Sequence, residues 1–338
     1  MEITGKALIG LMNSLAPVQL AEHWDNPGLQ IGDPSEKVQR VLVALDVTEE
    51  NIAFAEENHI QMIIAHHPFL FKALHKIDGQ TAKGQMISRV IKNDILIFAA
   101  HTNLDTADGG VNDALADALG LTRCEGLVPV GGNSLMKLTA DFGGSISESL
   151  IRELKSDSSV YAAECSDEGK VQIRIKKSAL SAVLPLLMSY HPKTYETVQC
   201  MNYPEYDFMG RIGELEAPLP GMEALQFIKN RLGIPVLKYC GNPEKTIRKI
   251  AVLGGAGAEF ASLAKTKGAD LYLTGDVKYH EAQDAAAEGI LMVDGGHYYT
   301  ERVIVPYLSK FLREAAQKNQ WDLTVYEDQG SSDIFRYI

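Results

Sequence analysis

The sequence predicts an α/β protein built from two similar α/β domains, with a smaller α+β segment inserted between them. Both outer thirds of the chain alternate helical patterns with short apolar runs, at residues 41–45, 61–65, 95–100, 250–253, 271–273 and 290–293. Runs of this kind are typical of buried strands in a sheet that helices cover on both faces. The middle third has a different order of elements, which indicates a separate module.

Local signals predict where helices begin and end. Thr48 can cap a helix that begins at Glu49, and residues 112–119 have a helical pattern that Gly120 ends. After residue 296, an apolar stripe at helical spacing predicts a single long helix. Pro306 lies in this stretch and is expected to kink the helix or to lie in its first turn.

The middle of the chain has the order strand, helix, strand, strand, helix, strand between residues 135 and 200. This order is that of the split βαβ, ferredoxin-like plan. Predicted loops at residues 131–133 and 202–204 separate it from its neighbours. We therefore expect an N-terminal α/β metal-binding domain at 1–130, an inserted ferredoxin-like module at 131–206 and a C-terminal α/β metal-binding domain at 207–338.

Composition and charge restrict the class of protein. The chain has 338 residues and a net charge of −12, which argues against binding to a nucleic-acid backbone. A nucleotide is not excluded, because bound cations can reverse the local charge. The four cysteines lack C-x-x-C spacing, which favours reduced thiols in the cytosol. With neither a signal peptide nor a membrane-length apolar run, we expect a cytoplasmic protein.

Histidine and aspartate residues follow the ends of several predicted strands. These residues are His66, His67, His101, Asp105 and His297. In open α/β sheets, ligands bind at the carboxyl ends of the strands. We therefore expect these side chains to meet at a common edge.

Two local patterns favour a pair of metal ions. Pro68 keeps His67 extended, so that His66 and His67 point to opposite sides and each can bind a different ion. In isolation, two adjacent histidines before a proline would be ordinary surface or core residues. His297 and Glu301 are four residues apart and share one helical face, where they bind a metal or form an exposed hydrogen bond.

Asp105 completes the predicted ligand set, because its two carboxylate oxygens can bridge two ions. The predicted metal ligands are His66, His67, Asp105, His297 and Glu301. They suit two divalent ions per subunit about 3.5–4 Å apart. Mixed imidazole and carboxylate ligands suit Zn, Fe, Mn, Co or Ni. Water in an open coordination position would provide a metal-bound hydroxide for hydrolysis.

Further residues are secondary candidates. His101 either orients a metal ligand or is a core histidine. Asp276 and His280, predicted on one helical face, are catalytic candidates for substrate binding or proton transfer. Asp25 either lines the same cleft or belongs to a turn. The glycine-rich residues 254–257 could accept an anion, but a tight βα turn is favoured because the dinucleotide fingerprint and the P-loop lysine are absent.

Four segments resemble the NGG-one-interacting-factor-three-like family, whose bacterial members are often labelled GTP cyclohydrolase I type 2 homologues. They are residues 23–29 (HWDNPGL), 65–68 (AHHP), 101–105 (HTNLD) and 295–301 (GGHYYTE). The resemblance implies a toroidal homohexamer with dinuclear metal sites that face an internal cavity, and the same five ligands. It also implies an inserted module similar to the PII and CutA trimers. Residues 191–198 resemble the end of that module, although Lys193 and Thr194 interrupt the usual run.

Two functions remain open at this point. One is a dinuclear-metal-dependent hydrolase, similar to GTP cyclohydrolase I type 2, that acts on a nucleotide or related small molecule. The other is a non-catalytic metal-binding scaffold or regulatory protein. Five protein ligands do not fill all the coordination positions of two ions. The vacant positions could hold water, which favours the hydrolase. The expected partners are other copies of the chain and a small-molecule substrate, but neither a membrane nor nucleic acid.

Overall fold

The computed structural model describes residues 1–144, 146–156, 160–166, 168–176 and 179–338. For residues 131–134, 156, 161, 176, 181–182 and 201–206 it describes the backbone alone. The chain divides into a larger unit, Met1–Val128 with Phe208–Ile338, and a smaller unit, Pro129–Asp207. In the described part of the chain, no helix is both long and apolar enough to cross a membrane.

The strands and helices follow in chain order. The strands are β1 Gly28–Ile31, β2 Arg40–Ala44, β3 Met62–Ala65, β4 Leu96–Ala99, β5 Thr122–Asp141, β6 Val160–Cys165, β7 Lys170–Lys176, β8 Thr194–Pro220, β9 Lys238–Cys240, β10 Thr246–Ala256, β11 Leu271–Gly275, β12 Leu291–Asp294 and β13 Thr324–Glu327. The helices are α1 Gly5–Leu15, α2 Glu49–Glu57, α3 Ala82–Lys92, α4 Thr102–Thr106, α5 Val111–Ala118, α6 Glu148–Ser156, α7 Leu180–Ser189, α8 Gly221–Leu232, α9 Ala261–Thr266, α10 Tyr279–Glu288, α11 His297–Glu301 and α12 Ile304–Asn319.

The first sheet of the larger unit has the order β1-β4-β3-β2-β13. Strands β13, β2, β3 and β4 are parallel, and β1 pairs with β4 in the antiparallel direction. Strand β13 comes from the end of the chain, so the predicted C-terminal domain contributes a strand to the N-terminal sheet. The parallel strands carry the first group of predicted ligands at their carboxyl ends.

Alternate residues of this sheet pack into two apolar cores. Val41 and Val43 of β2 share one core with residues of α1, α5 and α12. Leu42, between them, shares the other core with residues of α2 and α3. Because both faces of the sheet are buried, its strands read as unbroken apolar runs. The α/β prediction for the outer thirds is confirmed.

The second sheet of the larger unit brings three parallel strands together. Strands β10, β11 and β12 are parallel neighbours, β8 pairs with β10 through residues 211–214 and 219–220, and β9 pairs with β12. Its apolar core includes residues of α5 and α8. The carboxyl ends of β11 and β12 precede Asp276 and His297 respectively.

Side chains and glycines set several helix ends as the sequence predicts. The Thr48 hydroxyl accepts a hydrogen bond from the Asn51 N–H at 3.2 Å at the start of α2. After α5, Gly120 adopts a left-handed conformation with φ of +64°, which glycine does at little cost. Both predicted boundaries are confirmed.

The prediction of one long helix after residue 296 is wrong. Arg302 and Val303 separate α11 from α12. Pro306 explains the break, because its ring cannot donate a hydrogen bond and would clash with the carbonyl of residue 302 in a continuous helix. Pro306 itself lies in the first turn of α12. A place in the first turn is one of the two outcomes expected for this proline.

The smaller unit contains α6, β6, β7 and α7, together with parts of β5 and β8. Strand β7 pairs in the antiparallel direction with both β5 and β6. The described part of its core includes Leu138, Leu150, Ile173 and Leu187. The predicted loops at 131–133 and 202–204 are wrong, since these residues lie within β5 and β8. Turn-forming residues are a weak local signal that strand formation on either side can override.

A partly buried ion pair joins α5 to β8 in the larger unit. Arg211, whose side chain is 6% exposed, donates to the two carboxylate oxygens of Asp113 at 2.7 and 2.8 Å. The other carboxylate near Arg211, that of Asp108 at 3.3 Å, is 92% exposed, so removal of Asp113 takes away the main partner of a buried guanidinium. We expect Asp113→Ala to lower the free energy of unfolding by about 3 kcal/mol, as measured by urea denaturation. The exposed Asp117 on the same helix gives the control, Asp117→Ala; equal stabilities of the two variants would contradict this account.

Candidate metal centre

The five predicted ligands lie at carboxyl ends of strands from both sheets of the larger unit. His66 and His67 follow β3, Asp105 lies on α4 after β4, and His297 and Glu301 begin and end α11 after β12. Short connections allow each strand to position its ligands with little freedom. The contacts between these side chains join them into one cluster.

Glu301 lies at the centre of the cluster, with its side chain only 4% exposed. Its Oε2 atom is 2.9 Å from His67 Nε2 and 3.1 Å from His297 Nε2. Its other oxygen, Oε1, is 3.8 Å from His66 Nε2. The two oxygens of one carboxylate therefore face different imidazoles.

Two sets of possible metal ligands share Glu301. The first set is His66, Asp105 and Glu301, and the second is His67, His297 and Glu301. Within each set, one potential ligand atom from every residue lies within 4.8 Å of the others. Sequence reasoning favours Asp105 as the bridge, whereas the geometry favours Glu301 because its two oxygens face the two sets.

The first set contains buried polar atoms that a metal ion would satisfy. In the described part of the chain, His66 Nε2 and Asp105 Oδ1 are buried without a hydrogen-bond partner. They are 3.7 Å apart, which is too far for a hydrogen bond. Two atoms about 2.1 Å from a shared zinc-sized ion are separated by at most about 4.2 Å. The spacing and the donor types therefore fit an ion between them.

The Nδ1 atom of each imidazole in the two sets is held by an oxygen atom. The pairs are His66 with the Ala100 carbonyl, His67 with Asp46 Oδ1 and His297 with Asp276 Oδ2, each at 2.8 Å. Carbonyl and carboxylate oxygens only accept hydrogen bonds, so Nδ1 carries the hydrogen. A neutral imidazole then presents its Nε2 lone pair to the cluster, as metal-binding histidines do.

Hydrogen bonds within the cluster shift the pKa values of its histidines and of Glu301. Burial opposes a charge on His67, but its bonds with Asp46 and Glu301 outweigh burial and raise its pKa to about 10. The bond with Glu301 is the main cause that raises the pKa of His297 to about 9. Burial would raise the pKa of Glu301, but its imidazole partners hold that pKa well below its usual range. Because a metal-binding imidazole must be unprotonated, protons and metal ions compete for this cluster.

Gly255 leaves space for the Glu301 carboxylate. It has a φ of +67°, and a Cβ atom at this position would lie 2.2 Å from Glu301 Oε1. Its N–H donates to the Thr300 hydroxyl at 3.1 Å. Strand β10 continues to Ala256, so the tight turn predicted at 254–257 begins later than expected. The glycines instead allow a close approach of strand and carboxylate.

The two predicted catalytic residues do not share a helical face. Asp276 precedes α10 and has a left-handed backbone with φ of +54°, which turns the chain before the helix begins at Tyr279. Its carboxylate holds His297, as described above. His280 is exposed on α10, where its ring contacts that of Tyr279 at a centroid distance of 5.3 Å.

Sequence reasoning missed Asp46 as a residue of the site. It lies two residues after the end of β2 at Ala44, so the strand-end pattern that indicates the other residues also applies to it. Loss of a residue that orients a metal-binding histidine typically costs about 10–100-fold in metal affinity. We expect a decrease of this size for Asp46→Asn in a competition assay with a coloured chelator. Asp284→Asn, at an exposed position of α10, should keep the original affinity; the same affinity in both variants would argue against the role of Asp46.

An α/β fold that gathers histidines and carboxylates from two sheets into a buried cluster defines a candidate metal-binding protein. The model of the Duf34/NIF3 (NGG1p interacting factor 3) family matches residues 3–333. The chain belongs to this family, and the resemblance seen in the sequence is confirmed.

Relatives match the chain along almost its whole length. It is 31% identical to a GTP cyclohydrolase 1 type 2 homolog of Bacillus subtilis and 33% identical to one of Halalkalibacterium halodurans, with 99% of both chains covered in each case. A crystal structure of a Bacillus cereus protein related to NIF3 has a TM-score of 0.87, 33% identity and 99% coverage of both chains. A Staphylococcus aureus protein has a TM-score of 0.80 and 29% identity, again with 99% coverage of both chains.

Proposed function

We propose that the protein is a dinuclear-metal-dependent hydrolase that acts on a nucleotide or a related small molecule. The position of Glu301 between two sets of ligands is the observation that carries this proposal. Hydrolases with two metals hold the ions about 3.5–4 Å apart, a distance that one carboxylate can bridge. The ligands would be His66, His67, Asp105, His297 and Glu301, which suit Zn, Fe, Mn, Co or Ni. When bound, the ions would polarise the substrate and activate water.

The substrate class is supported by the names of the relatives and by aromatic side chains beside the cluster. Curated relatives are named GTP cyclohydrolase 1 type 2 homologs. Trp24 and Phe71 are 52% and 47% exposed, and each ring centroid lies 6.1 Å from that of His101. Exposed aromatic rings can stack on a nucleobase, a contact worth about 1–3 kcal/mol per base. A purine nucleotide would fit both observations.

Hydrolysis requires one proton to leave the attacking water and one to reach the departing group. Asp276 and His280 are our candidates for this transfer. The Asp276 carboxylate is 53% exposed and bonded to His297, so it can exchange protons with solvent. Asp46 and Asp276 would also keep the imidazoles of His67 and His297 in fixed orientations.

The test is turnover of a panel of purine and pyrimidine nucleotides by protein loaded with two equivalents of each candidate metal. We expect metal-dependent turnover that Glu301→Ala abolishes. Glu314→Ala, at a side chain that is 65% exposed on α12, should retain the activity. If the loaded protein turns over no nucleotide, the hydrolase proposal is overturned.

A non-catalytic metal-binding scaffold or regulatory protein is the second candidate. Burial of the first ligand set favours it, since His66, Asp105 and Glu301 are 2%, 8% and 3% exposed. A site closed by protein ligands would hold an ion without admitting a substrate. Full metal loading without turnover of any nucleotide would favour this function.

We further propose that the protein is a cytoplasmic, toroidal homohexamer and that its smaller unit is a ferredoxin-like module similar to PII and CutA. The order of the elements in the smaller unit supports the second part of this proposal. Sedimentation equilibrium should give six times the chain mass of 37.0 kDa. A single species of one chain mass at micromolar concentration would contradict the hexamer.

A further inference from the structure

We infer that a cavity between α10 and the paired strands β9 and β12 binds a nucleobase, and that the substrate is a dinucleotide. One base would bind in this cavity and the other against Trp24 and Phe71. The inference rests on the proposed function, because it names the substrate class of the same site. It gives a role to a cavity that none of the five candidate metal ligands lines.

The cavity has the size and the lining that suit a planar ring. Its volume is about 110 Å³, whereas a single water molecule requires only about 10–15 Å³. Its aromatic and apolar lining includes Tyr239, Val277, Tyr279, Ala282 and Met292. The two tyrosines are 45% and 77% exposed. Exposed aromatic side chains beside an apolar surface are the groups on which bases stack.

The cavity adjoins the second ligand set at His297, whose side chain is 40% exposed. On one wall, Val277 directly follows Asp276, whose carboxylate bonds His297. On another wall, Asp294 accepts a hydrogen bond from the Gly296 N–H at 3.1 Å, and Gly296 directly precedes His297. The cavity therefore lies at the carboxyl ends of β11 and β12, where ligands bind in open α/β sheets.

The cavity and the rings of Trp24 and Phe71 lie at different ends of a row of imidazoles. His67 is in the middle of this row, with its ring centroid 5.7 Å from that of His101 and 5.4 Å from that of His297. Trp24 and Phe71 contact His101, whereas the cavity adjoins His297. A ligand with two bases can therefore place one base at each end and its phosphate linkage at the metal centre.

Charged side chains of the cavity suit a base that carries a phosphate. The Lys278 ammonium is 83% exposed and lies 3.6 Å from Glu281, a weak exposed pair, so it can turn to a phosphate at the cavity edge. Asp294, whose side chain is 7% exposed, bonds the Lys238 ammonium at 2.6 Å and the Gly296 N–H. A carboxylate offers about four acceptor positions, so Asp294 can also accept from the amino group that adenine, guanine and cytosine carry.

The test compares two probes by calorimetric titration of the zinc-loaded, full-length protein. The first is ApA, two adenosines joined through a phosphodiester, and the second is the methyl ester of AMP, which keeps the diester but lacks the second nucleoside. Both carry a phosphorothioate linkage, which slows hydrolysis. We expect ApA to bind at least about fivefold more tightly, the smallest effect of one stacked base. This preference should persist without zinc, because the cavity consists of side chains alone.

Variants on α10 assign this preference to the cavity. Ala282→Phe places a ring inside the cavity and should make the two affinities equal. Ala286→Phe, at an exposed position one turn further along, is the matched control and should keep the preference. Tyr279→Ala removes an exposed stacking partner and should reduce the preference without loss of folding, which circular dichroism checks.

The outcomes separate this inference from the proposed function. Equal affinities of the original protein for the two probes, or a full preference for ApA in both Ala282→Phe and Tyr279→Ala, would overturn the base-binding cavity. Turnover of mononucleotides together with equal affinities would overturn the dinucleotide alone. A preference for ApA that depends on the cavity, without turnover of unmodified ApA, would overturn only the hydrolase activity.

Discussion

Replacing Glu301 with glutamine is expected to abolish stable binding of both ions of the proposed dinuclear centre. Each carboxylate oxygen faces a different ligand set, so both sets lose a charged ligand at once. The loss of affinity should exceed the roughly 10–100-fold effect of losing an outer residue. Equilibrium dialysis followed by elemental analysis gives the number of ions per chain, and we expect it to fall from two to near zero.

A matched surface variant controls for the change in charge. Glu314→Gln removes the same charge from α12, where the side chain is 65% exposed, and should keep two ions. A metal ion at 100 times its dissociation constant stabilises the folded protein by about 2.7 kcal/mol. Added metal should therefore raise the melting temperature of the control but not that of Glu301→Gln. Two ions bound to Glu301→Gln with unchanged affinity would show that Glu301 is not the bridge.

The substitution Gly255→Ala is expected to disrupt the same carboxylate without removing it. The new methyl group would lie 2.2 Å from Glu301 Oε1, so the carboxylate must move away from the first ligand set. The backbone φ of +67° adds a strain of about 1–2 kcal/mol for a residue with a side chain. We expect at least about a tenfold loss of affinity for one ion, measured by the chelator assay, together with a lower melting temperature.

A variant at Gly120 distinguishes the effect of backbone strain from the effect of steric contact with the Glu301 carboxylate. It has a φ of +64°, but a methyl group there would meet no atom within 4 Å. Gly120→Ala should therefore lower the melting temperature by a similar amount and leave metal binding intact. If both variants bind metal equally well, contact between residue 255 and the carboxylate has no functional role.

Part of the site could be predicted because local sequence determines it. His66 and His67 follow a strand that is apolar on both faces, and such a strand must be buried in a sheet. His297 and Glu301 are four residues apart, so even a one-turn helix brings them to the same side. These patterns need no knowledge of distant contacts, and the structure brings these side chains together with Asp105.

Other features depend on contacts that the sequence does not reveal. Asp25 and His101 are 76 positions apart, and nothing local indicates that they form a hydrogen bond. The position of Glu301 between the two ligand sets follows from how two sheets of the larger unit approach each other. The break before α12 could have been predicted, since Pro306 is incompatible with a continuous helix four residues after Arg302. The extended backbone at 131–133 could not have been predicted, because the local residues there are typical of a turn.

Anomalous diffraction from crystals of the metal-loaded protein, recorded at the absorption edge of the bound metal, would locate the ions themselves. We predict two peaks about 3.5–4 Å apart, one on each side of the Glu301 carboxylate. The first should lie beside His66 and Asp105, and the second beside His67 and His297. The absence of peaks from this cluster, or a single peak that Glu301 does not contact, would contradict a dinuclear centre.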